Sequence, residues 1–323
     1  MKTTIKDVAK LSGVSIATVS HVINQTKRVS ASTEKKVLEA IRALHYAPDQ
    51  TAKSFKTGKK NIIAFIVPDI SNNYFSNIIE SLESELSKHG YSLILANTKE
   101  TKEKEIRQLN YMTAGIADGI VLASTVQHYS EIEYDIPPHF PVILIDRKID
   151  GCPFDSINVS DTLAISQGMD ALFAKGHTRI GYIGDLEYLS TARERLQAYK
   201  DSLAAHGIPF TREFVRHTSS LAHGAYDMTK ELLANGCTAL VVGNNLMTID
   251  AFCYVANHQN ACGNVAVLGY QHKELSHLFT PRIGTIVQNE LEMGIMAGRQ
   301  IISRIQNPDG PRKEIIISNQ YIG

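Results

Sequence analysis

Ile5-Lys-Asp-Val-Ala-Lys-Leu-Ser-Gly13-Val-Ser-Ile-Ala-Thr-Val-Ser-His-Val-Ile-Asn24 spells two short amphipathic helices around a glycine-containing turn. Thr4 followed three residues on by Asp7 fits a capping box, and Ile5, Val8 and Leu11 recur at helical spacing beside the small Ala9, which leaves room for a second helix to cross closely. Gly13 falls where the chain turns sharply with positive φ, and Ser15 is placed to cap the helix opening at Ile16. Val14, Val19 and Val22 or Ile23 then pack inward. Ile16, Ala17, Thr18, Ser20, His21 and Asn24 are left outward, a short and uncharged set suited to a helix pressed against base edges and phosphates. The plain alternative is a two-helix hairpin with a solvated outer face.

Charge separates the two readings. Residues 1–60 hold twelve Lys and Arg against four acidic residues, net +8, so the rest of the chain carries −8 inside a neutral total. A basic arm on an acidic body gives a phosphate-binding surface whose affinity falls steeply with salt. Val37, Ile41 and Leu44 repeat within a run from Glu34 to Leu44, predicting a third helix that closes a small core and is stopped by Tyr46-Ala-Pro48. The segment from Asp49 to Lys60 is basic and too short to fold alone. On DNA it can become helical, because phosphate neutralisation and a partner copy offset the ordering entropy.

At 323 residues the chain is long for one domain, and two or three are expected. No apolar run approaches the roughly 20 residues that cross a bilayer, and the N-terminus lacks the apolar stretch of a secretion signal, so a cytoplasmic protein with no membrane partner is expected. Cys152, Cys237, Cys253 and Cys262 are scattered without metal-ligand spacing and read as idle thiols; neither a cofactor nor a metal is expected. A secreted solute-binding protein would begin with a signal peptide where this chain has its basic helices. An enzyme would need a nucleophile–base pair, a metal cluster or a phosphate loop, and none of those motifs occurs, so no catalytic residues and no enzymatic activity are expected.

From Asn61 onward apolar runs alternate with amphipathic ones. Strands are predicted at 62–67, 91–96, 119–123 and 142–146, then 179–183, 214–217, 239–243 and 265–269, with a last one at 314–318; helices fall between them. Near-continuous apolar strands alternating with helices imply parallel sheets covered on both faces, and two successive series imply two doubly wound lobes. Ligands of such sheets bind beyond the carboxyl ends of strands, and polar groups gather there: Asp69, Asn72, Asn73, Tyr74 and Phe75; Asp146 and Arg147; Arg193 and Arg195; Asn244 and Asn245; Tyr270, Gln271 and His272. Carboxylates, amides and guanidinium groups beside aromatic rings suit a small polyhydroxylated molecule, although each residue alone could be a loop cap or a surface ion pair.

Over essentially its whole length the chain resembles the lactose repressor (LacI/GalR) family of bacterial transcriptional regulators. The resemblance is carried by Thr4-Ile-Lys-Asp-Val-Ala, Gly13-Val-Ser, Thr18-Val-Ser and Val22-Ile-Asn24, by Val29-Ser with Thr33 and Val37, and by Tyr46 with Pro48. In the body it is carried by Ile143, Asp146 and Arg147, by Gly176-His with Arg179-Ile-Gly-Tyr-Ile-Gly184, by Arg195-Leu with Tyr199, and by Val267, Gly269-Tyr, Pro281 and Thr285. It implies an all-α helix-turn-helix headpiece at 1–47, a hinge segment at 48–60, and an α/β body at 61–323 like the periplasmic sugar-binding proteins. One lobe is expected at about 61–160 and 290–311, the other at about 161–289 and 312–323.

The resemblance implies a homodimer on a pseudo-palindromic double-stranded operator, controlled by a small effector between the lobes. Ile16, Ala17 and His21 would face bases; Ser15, Thr18, Ser20 and Asn24 would contact phosphates, and Thr4 would join the DNA-binding set. Phe55 stands where the family's hinge leucine wedges into a minor-groove step, and Lys53 where an arginine is common. Effector contacts would come from Asn72, Tyr74, Phe75, Asp146, Arg147, Arg195, Asn244, Asn245, Gln271 and Gln288. Gln271 and Asn245 replace frequent aspartates while Arg147 and Arg195 stay, which admits a sugar acid beside a neutral sugar. The stretch Thr218 to Ala222 lacks an aromatic ring to stack on a flat base. The alternative is a corepressor- or partner-dependent regulator with a non-sugar effector.

Overall fold

A computed structural model describes residues 3–47, 58–258, 263, 265–271 and 284–323. The chain divides into two compact units, Met1–Lys60 and Asn61–Gly323. The first contains α1 (Ile5–Ser12), α2 (Ile16–Asn24) and α3 (Ala31–Ala43) around Val8, Ala9, Val19, Val22, Val37 and Ala40. Thr4 donates through N–H and Oγ1 to Asp7 Oδ2 (2.9 and 2.7 Å), the reciprocal half of a capping box, and Gly13 turns the chain at φ +68°.

Two expectations shift here. Leu11 is 56% exposed, and Ser12 is buried in its place with Oγ donating to Val8 O. At about 100° per residue the stripe through Ile5 and Val8 returns at Ser12, about 20° from Ile5, whereas Leu11 lies about 120° away. The third helix begins at Ala31 rather than Glu34, because Ser30 Oγ accepts from Thr33 N–H at 3.3 Å and caps it.

The second unit holds two six-stranded sheets. Its strands and helices follow in the order β1 (Ile62–Val67), α4 (Asn73–Ser87), β2 (Ser92–Asn97), α5 (Lys102–Thr113), β3 (Gly119–Leu122), β4 (Val142–Asp146) and β5 (Asp155–Ser160). Then come α6 (Thr162–Ala174), β6 (Ile180–Gly184), α7 (Ser190–Ala205), β7 (Val215–His217), α8 (Ala225–Ala234), β8 (Ala239–Val242), α9 (Asn245–Asn257), β9 (Ala266–Tyr270) and β10 (Gly284–Val287). The chain closes with α10 (Glu290–Gln306), β11 (Glu314–Ser318) and β12 (Gln320–Ile322). The sheet orders are β11-β5-β4-β3-β1-β2 and β12-β10-β9-β8-β6-β7, parallel throughout except where β12 runs antiparallel to β10.

Strand side chains alternate between two buried faces, which is why the strands look uniformly apolar. Ile63, Phe65 and Val67 of β1 face α4 and α10; Ala64 and Ile66 face the α5 side. Tyr182 and Ile183 of β6 divide the second lobe in the same way. The C-terminal segment departs from the expected lobe boundary. β11 pairs with β5 in the first sheet, and only β12 returns to the second, so residues 314–318 belong to the first lobe rather than to the one assigned 312–323.

The chain passes between lobes after β5, after β10 and after β11. Asn319 ties the three passages: its N–H donates to Ser160 O (3.1 Å), its Nδ2 to Asp161 Oδ1 (2.6 Å), and its Oδ1 accepts from Asn289 N–H (3.2 Å). Two glycines let α10 lie against α4. A Cβ at Gly294 would stand 2.5 Å from Ile78 O and 2.9 Å from Leu82 N, backbone atoms that cannot swing aside. Gly294→Ala is therefore expected to destabilise the body by about 1–3 kcal/mol through overpacking. Urea unfolding checks this, and a midpoint equal to the wild type would show that the helices do not touch so closely.

Candidate functional site

In the headpiece, Ser15 Oγ accepts from Thr18 N–H (3.1 Å) and pairs with Thr18 Oγ1 (2.9 Å), so both hydroxyls sit at the amino end of α2. Val19 and Val22 are buried, which turns Ile16 and Ala17 to the exposed face with Asn24, while Thr18, Ser20 and His21 are half-buried beside them. Asn24 Nδ2 donates to Ser20 O (2.9 Å). His21 Nδ1 is engaged with Thr26 Oγ1 at 2.9 Å, which leaves Nε2 as the ring atom directed away from that contact. The face combines one apolar branch, one methyl, hydroxyls, an amide and an imidazole, the side-chain kit for contacting thymine methyls, purine acceptors and phosphates. Thr26, which orients His21, escaped the sequence reading because it lies beyond the helix end. Lys53 and Phe55 lie outside the described residues.

In the body, the ends of β1, β4, β6 and β8 open on one cleft between the lobes. Of the ten residues expected at the effector, Asn72, Tyr74, Phe75, Asp146, Arg147, Arg195, Asn244, Asn245 and Gln288 line it. Gln271 is buried at the end of β9, its N–H donating to Ile286 O. Asp69, Glu100, Asp185, Thr191, Ser220, Leu221 and Leu246 complete the wall. Arg193 turns away, bonding Tyr188 O at 2.7 Å, and His272 lies outside the described residues. A larger cavity, about 670 Å³, lies among Tyr134, Pro137, Pro138 and Phe140, but it contains none of the expected site residues.

The cleft is shut. Its cavity is about 50 Å³, room for a few waters and far below the several hundred Å³ of a small-molecule pocket. Asn245 Nδ2 donates to Asn72 Oδ1 across the lobes (2.7 Å), Ser190 Oγ accepts from Lys148 N–H (2.8 Å), and Lys148 Nζ meets Glu194 Oε1 (2.9 Å). Ligand entry therefore requires these bridges to part.

Asp146 adopts φ +64°, and the N–H of Arg147 reaches back to Ile145 O at 2.6 Å. This left-handed turn, which aspartate tolerates better than most residues, aims two successive side chains at the cleft. Tyr74 Oη donates to Asp146 Oδ1 (2.8 Å). Burial raises the Asp146 carboxyl above its ordinary range, with Arg147 and Arg195 opposing that shift.

The guanidinium groups are not free. Arg147 grips Glu100 through Nη2 (2.6 Å) and Nη1 (3.2 Å), and its Nη1 also donates to Ser124 O (3.3 Å). Arg195 Nε donates to Asp161 Oδ2 (2.6 Å), Nη1 donates to Gly243 O (2.7 Å), and the group lies 4.4 Å over the Tyr270 ring. The allowance for an acidic ligand presumed two uncommitted arginines; each is instead paired with a carboxylate the sequence reading had not weighed. Buried Glu105 steadies this corner by accepting from Ser124 Oγ and from Thr125 N–H (2.7 Å) and Oγ1 (2.6 Å).

Burial pushes the Cys152 and Cys237 thiols up to about 11, which makes them poor nucleophiles, and Cys253 is exposed; Cys262 is outside the described residues. Among the described residues no group of three His, Cys, Asp or Glu could hold a metal, and no helix is long and apolar enough to cross a membrane.

Residues 4–49 match the family model described as bacterial regulatory proteins, lacI family, and residues 60–323 match that of periplasmic binding proteins and sugar binding domain of LacI family. The chain is 32% identical to the ribose operon repressor of Escherichia coli K12, covering 94% of each chain. It is 29% identical to the transcriptional repressor PurR of Mannheimia succiniciproducens, covering 99% of this chain and 97% of the relative. Among solved structures, the lac repressor dimer bound to operator and the anti-inducer ONPF shares the fold with a TM-score of 0.86 at 23% identity, over 100% of this chain and 98% of that one. With both of its units matched, the chain belongs to the LacI family of DNA-binding bacterial transcriptional regulators.

Proposed function

We propose that the protein is a cytoplasmic repressor that grips a pseudo-palindromic operator as a homodimer and changes that grip when a sugar or sugar derivative enters the interlobe cleft. The observation that carries this reading is the cleft wall, where amides, carboxylates and guanidinium groups from both lobes converge beside Tyr74 and Phe75. Ser220 and Leu221 occupy the stretch where a flat base would need an aromatic partner, which favours a polyol over a purine. The ligand acts through its differential affinity for two lobe arrangements, typically about 1–3 kcal/mol of coupling. We assign the protein a binding role and no reaction.

Base reading is proposed for Ile16, Ala17 and His21, with Ser15, Thr18, Ser20 and Asn24 at the phosphates and Thr4 in the DNA-binding set. His21→Ala is expected to weaken operator binding by about 1–3 kcal/mol while leaving nonspecific duplex binding within severalfold of wild type. Mobility shifts at fixed salt on operator and scrambled duplexes test it; equal losses on both would remove His21 from the groove. A thermal-shift screen of sugars and their derivatives tests the cleft, and a panel with no binder would refute the sugar reading.

A further inference from the structure

The cleft holds more negative than positive charge, and the excess is placed. Asp69 is neutralised by Lys99 (2.5 Å), Glu100 by Arg147 (2.6 Å) and Asp161 by Arg195 (2.6 Å). Two carboxylates have only a shared or distant cation. Asp146 has Arg147 Nε at 3.8 Å, from a guanidinium already gripped by Glu100, and feels Arg195, itself paired with Asp161, while among the described residues no cationic group forms an ion pair with Asp185. Asp185 Oδ1 accepts from Leu186 N–H (2.9 Å) and Oδ2 from Asn244 Nδ2 (3.0 Å), so neutral donors fix its direction.

The two lobes repeat the same strand plan, and the repeat shows what is missing. Asp69 follows β1, the inner neighbour of edge strand β2; Asp185 follows β6, the inner neighbour of edge strand β7. In the first lobe Lys99, two residues past β2, reaches Asp69. In the second lobe the residue two past β7 is Ser219, whose side chain caps the next turn by accepting from Leu221 N–H. The second lobe thus presents the carboxylate without its lysine, facing the cleft.

We infer that the effector carries a protonated amine, as an amino sugar does, and that Asp185 receives that amine opposite Asp146 when the lobes shut. The inference rests on the proposed sugar-sensing cleft and narrows its ligand class. A neutral sugar would offer the two carboxylates hydroxyl donors but no charge in a site from which shutting excludes water, and an acidic one would add a like charge. An ammonium supplies one positive charge against the pair and donates up to three charge-assisted hydrogen bonds. Burial raises both carboxyls above the ordinary range, and the arginines nearby do not offset it. A metal cation is disfavoured, since among the described residues no carboxylate or imidazole cluster has coordinating geometry.

The test is calorimetry on the full-length protein with matched probes: the 2-amino-2-deoxyhexoses glucosamine, galactosamine and mannosamine, their parent hexoses, their N-acetyl forms and the corresponding aldonic acids. At least one amine should bind about tenfold or more tighter than its parent, N-acetyl and acid counterparts, and Asp185→Asn should erase that margin. A parent hexose or aldonic acid binding as well as its amine overturns the inference while leaving the sugar-sensing reading intact. An amine preference untouched by Asp185→Asn overturns the role of Asp185. Binding by no member of any series overturns the sugar-sensing reading, and the inference falls with it.

Discussion

Replacing Arg195 by alanine is expected to destabilise the body by about 3–5 kcal/mol in addition to removing the ligand response. From sequence alone this arginine reads as a ligand contact, whose loss would abolish the response and leave operator binding as it was. Its surroundings assign it a second role. The guanidinium is buried, bonded to Asp161 Oδ2 and Gly243 O, and stacked on Tyr270. Without it Asp161 keeps only Asn319 Nδ2 on its other oxygen, a buried carboxylate with its counter-ion gone. Asp161 also sits at the first passage between lobes, so the same loss loosens the Asn319 tie that fastens all three. Urea unfolding of Arg195→Ala, Asp161→Asn and the double variant measures the coupling. The double variant should be less destabilised than the sum of the singles, because each single strands the partner of the other. A loss below about 1 kcal/mol in Arg195→Ala would place the pair among exposed ones and confine the arginine to ligand contact.

What the sequence made legible follows from what periodicity can report. The headpiece helices, the central strands of both sheets and nine of the ten cleft residues sit on local patterns: capping hydroxyls, a glycine turn, apolar runs ending in polar loops. β5 escaped because Asp155-Ser-Ile-Asn-Val-Ser160 looks like a loop. Its polar members are buried against partners the local pattern does not show: Asn158 Nδ2 donates to Ser156 Oγ (3.1 Å) within the strand and to Glu314 Oε1 (3.2 Å) at the start of β11. β11 reads as a strand in the sequence but its lobe does not, because residue spacing does not say which sheet a strand joins; Ile315 pairs with Ile157, five residues before Gln320 of the unread β12 pairs with Val287 in the other lobe.

The carboxylates of the cleft were hidden for a related reason. Glu100 and Asp185 are ordinary loop acids in sequence, and only the fold brings Glu100 to Arg147 and leaves Asp185 without a lysine. Counting the arginines without their partners therefore left out the carboxylates that pair with them. A carboxylate's worth depends on what the chain brings beside it, and the first lobe offers a case where that can be measured by pH.

Asp155→Ala is expected to lower stability by about 3–5 kcal/mol at neutral pH, since it breaks a buried pair from one side. The carboxylate is fully buried and accepts from Arg304 Nη2 (2.6 Å) and Nε (3.0 Å), Gln300 Nε2 (2.8 Å) and Lys313 N–H (2.8 Å), joining the starts of β5 and β11 to the end of α10. Burial works to raise its pKa, but the bonds from Arg304, Gln300 and Lys313 outweigh burial and hold it below the ordinary 3.8. A carboxyl with a lowered folded pKa contributes stability that is complete above its unfolded value and drains away as pH falls through that value toward the folded one. Asp146 and Asp185 carry the opposite sign, because burial raises them and acid first relieves the cost of their charge. Urea midpoints from pH 7 down to pH 3 should therefore fall more steeply in the wild type than in Asp155→Asn, which keeps the shape and loses the titration. Parallel curves would mean that Arg304 and Gln300 hold a side chain whose charge contributes nothing to this lobe.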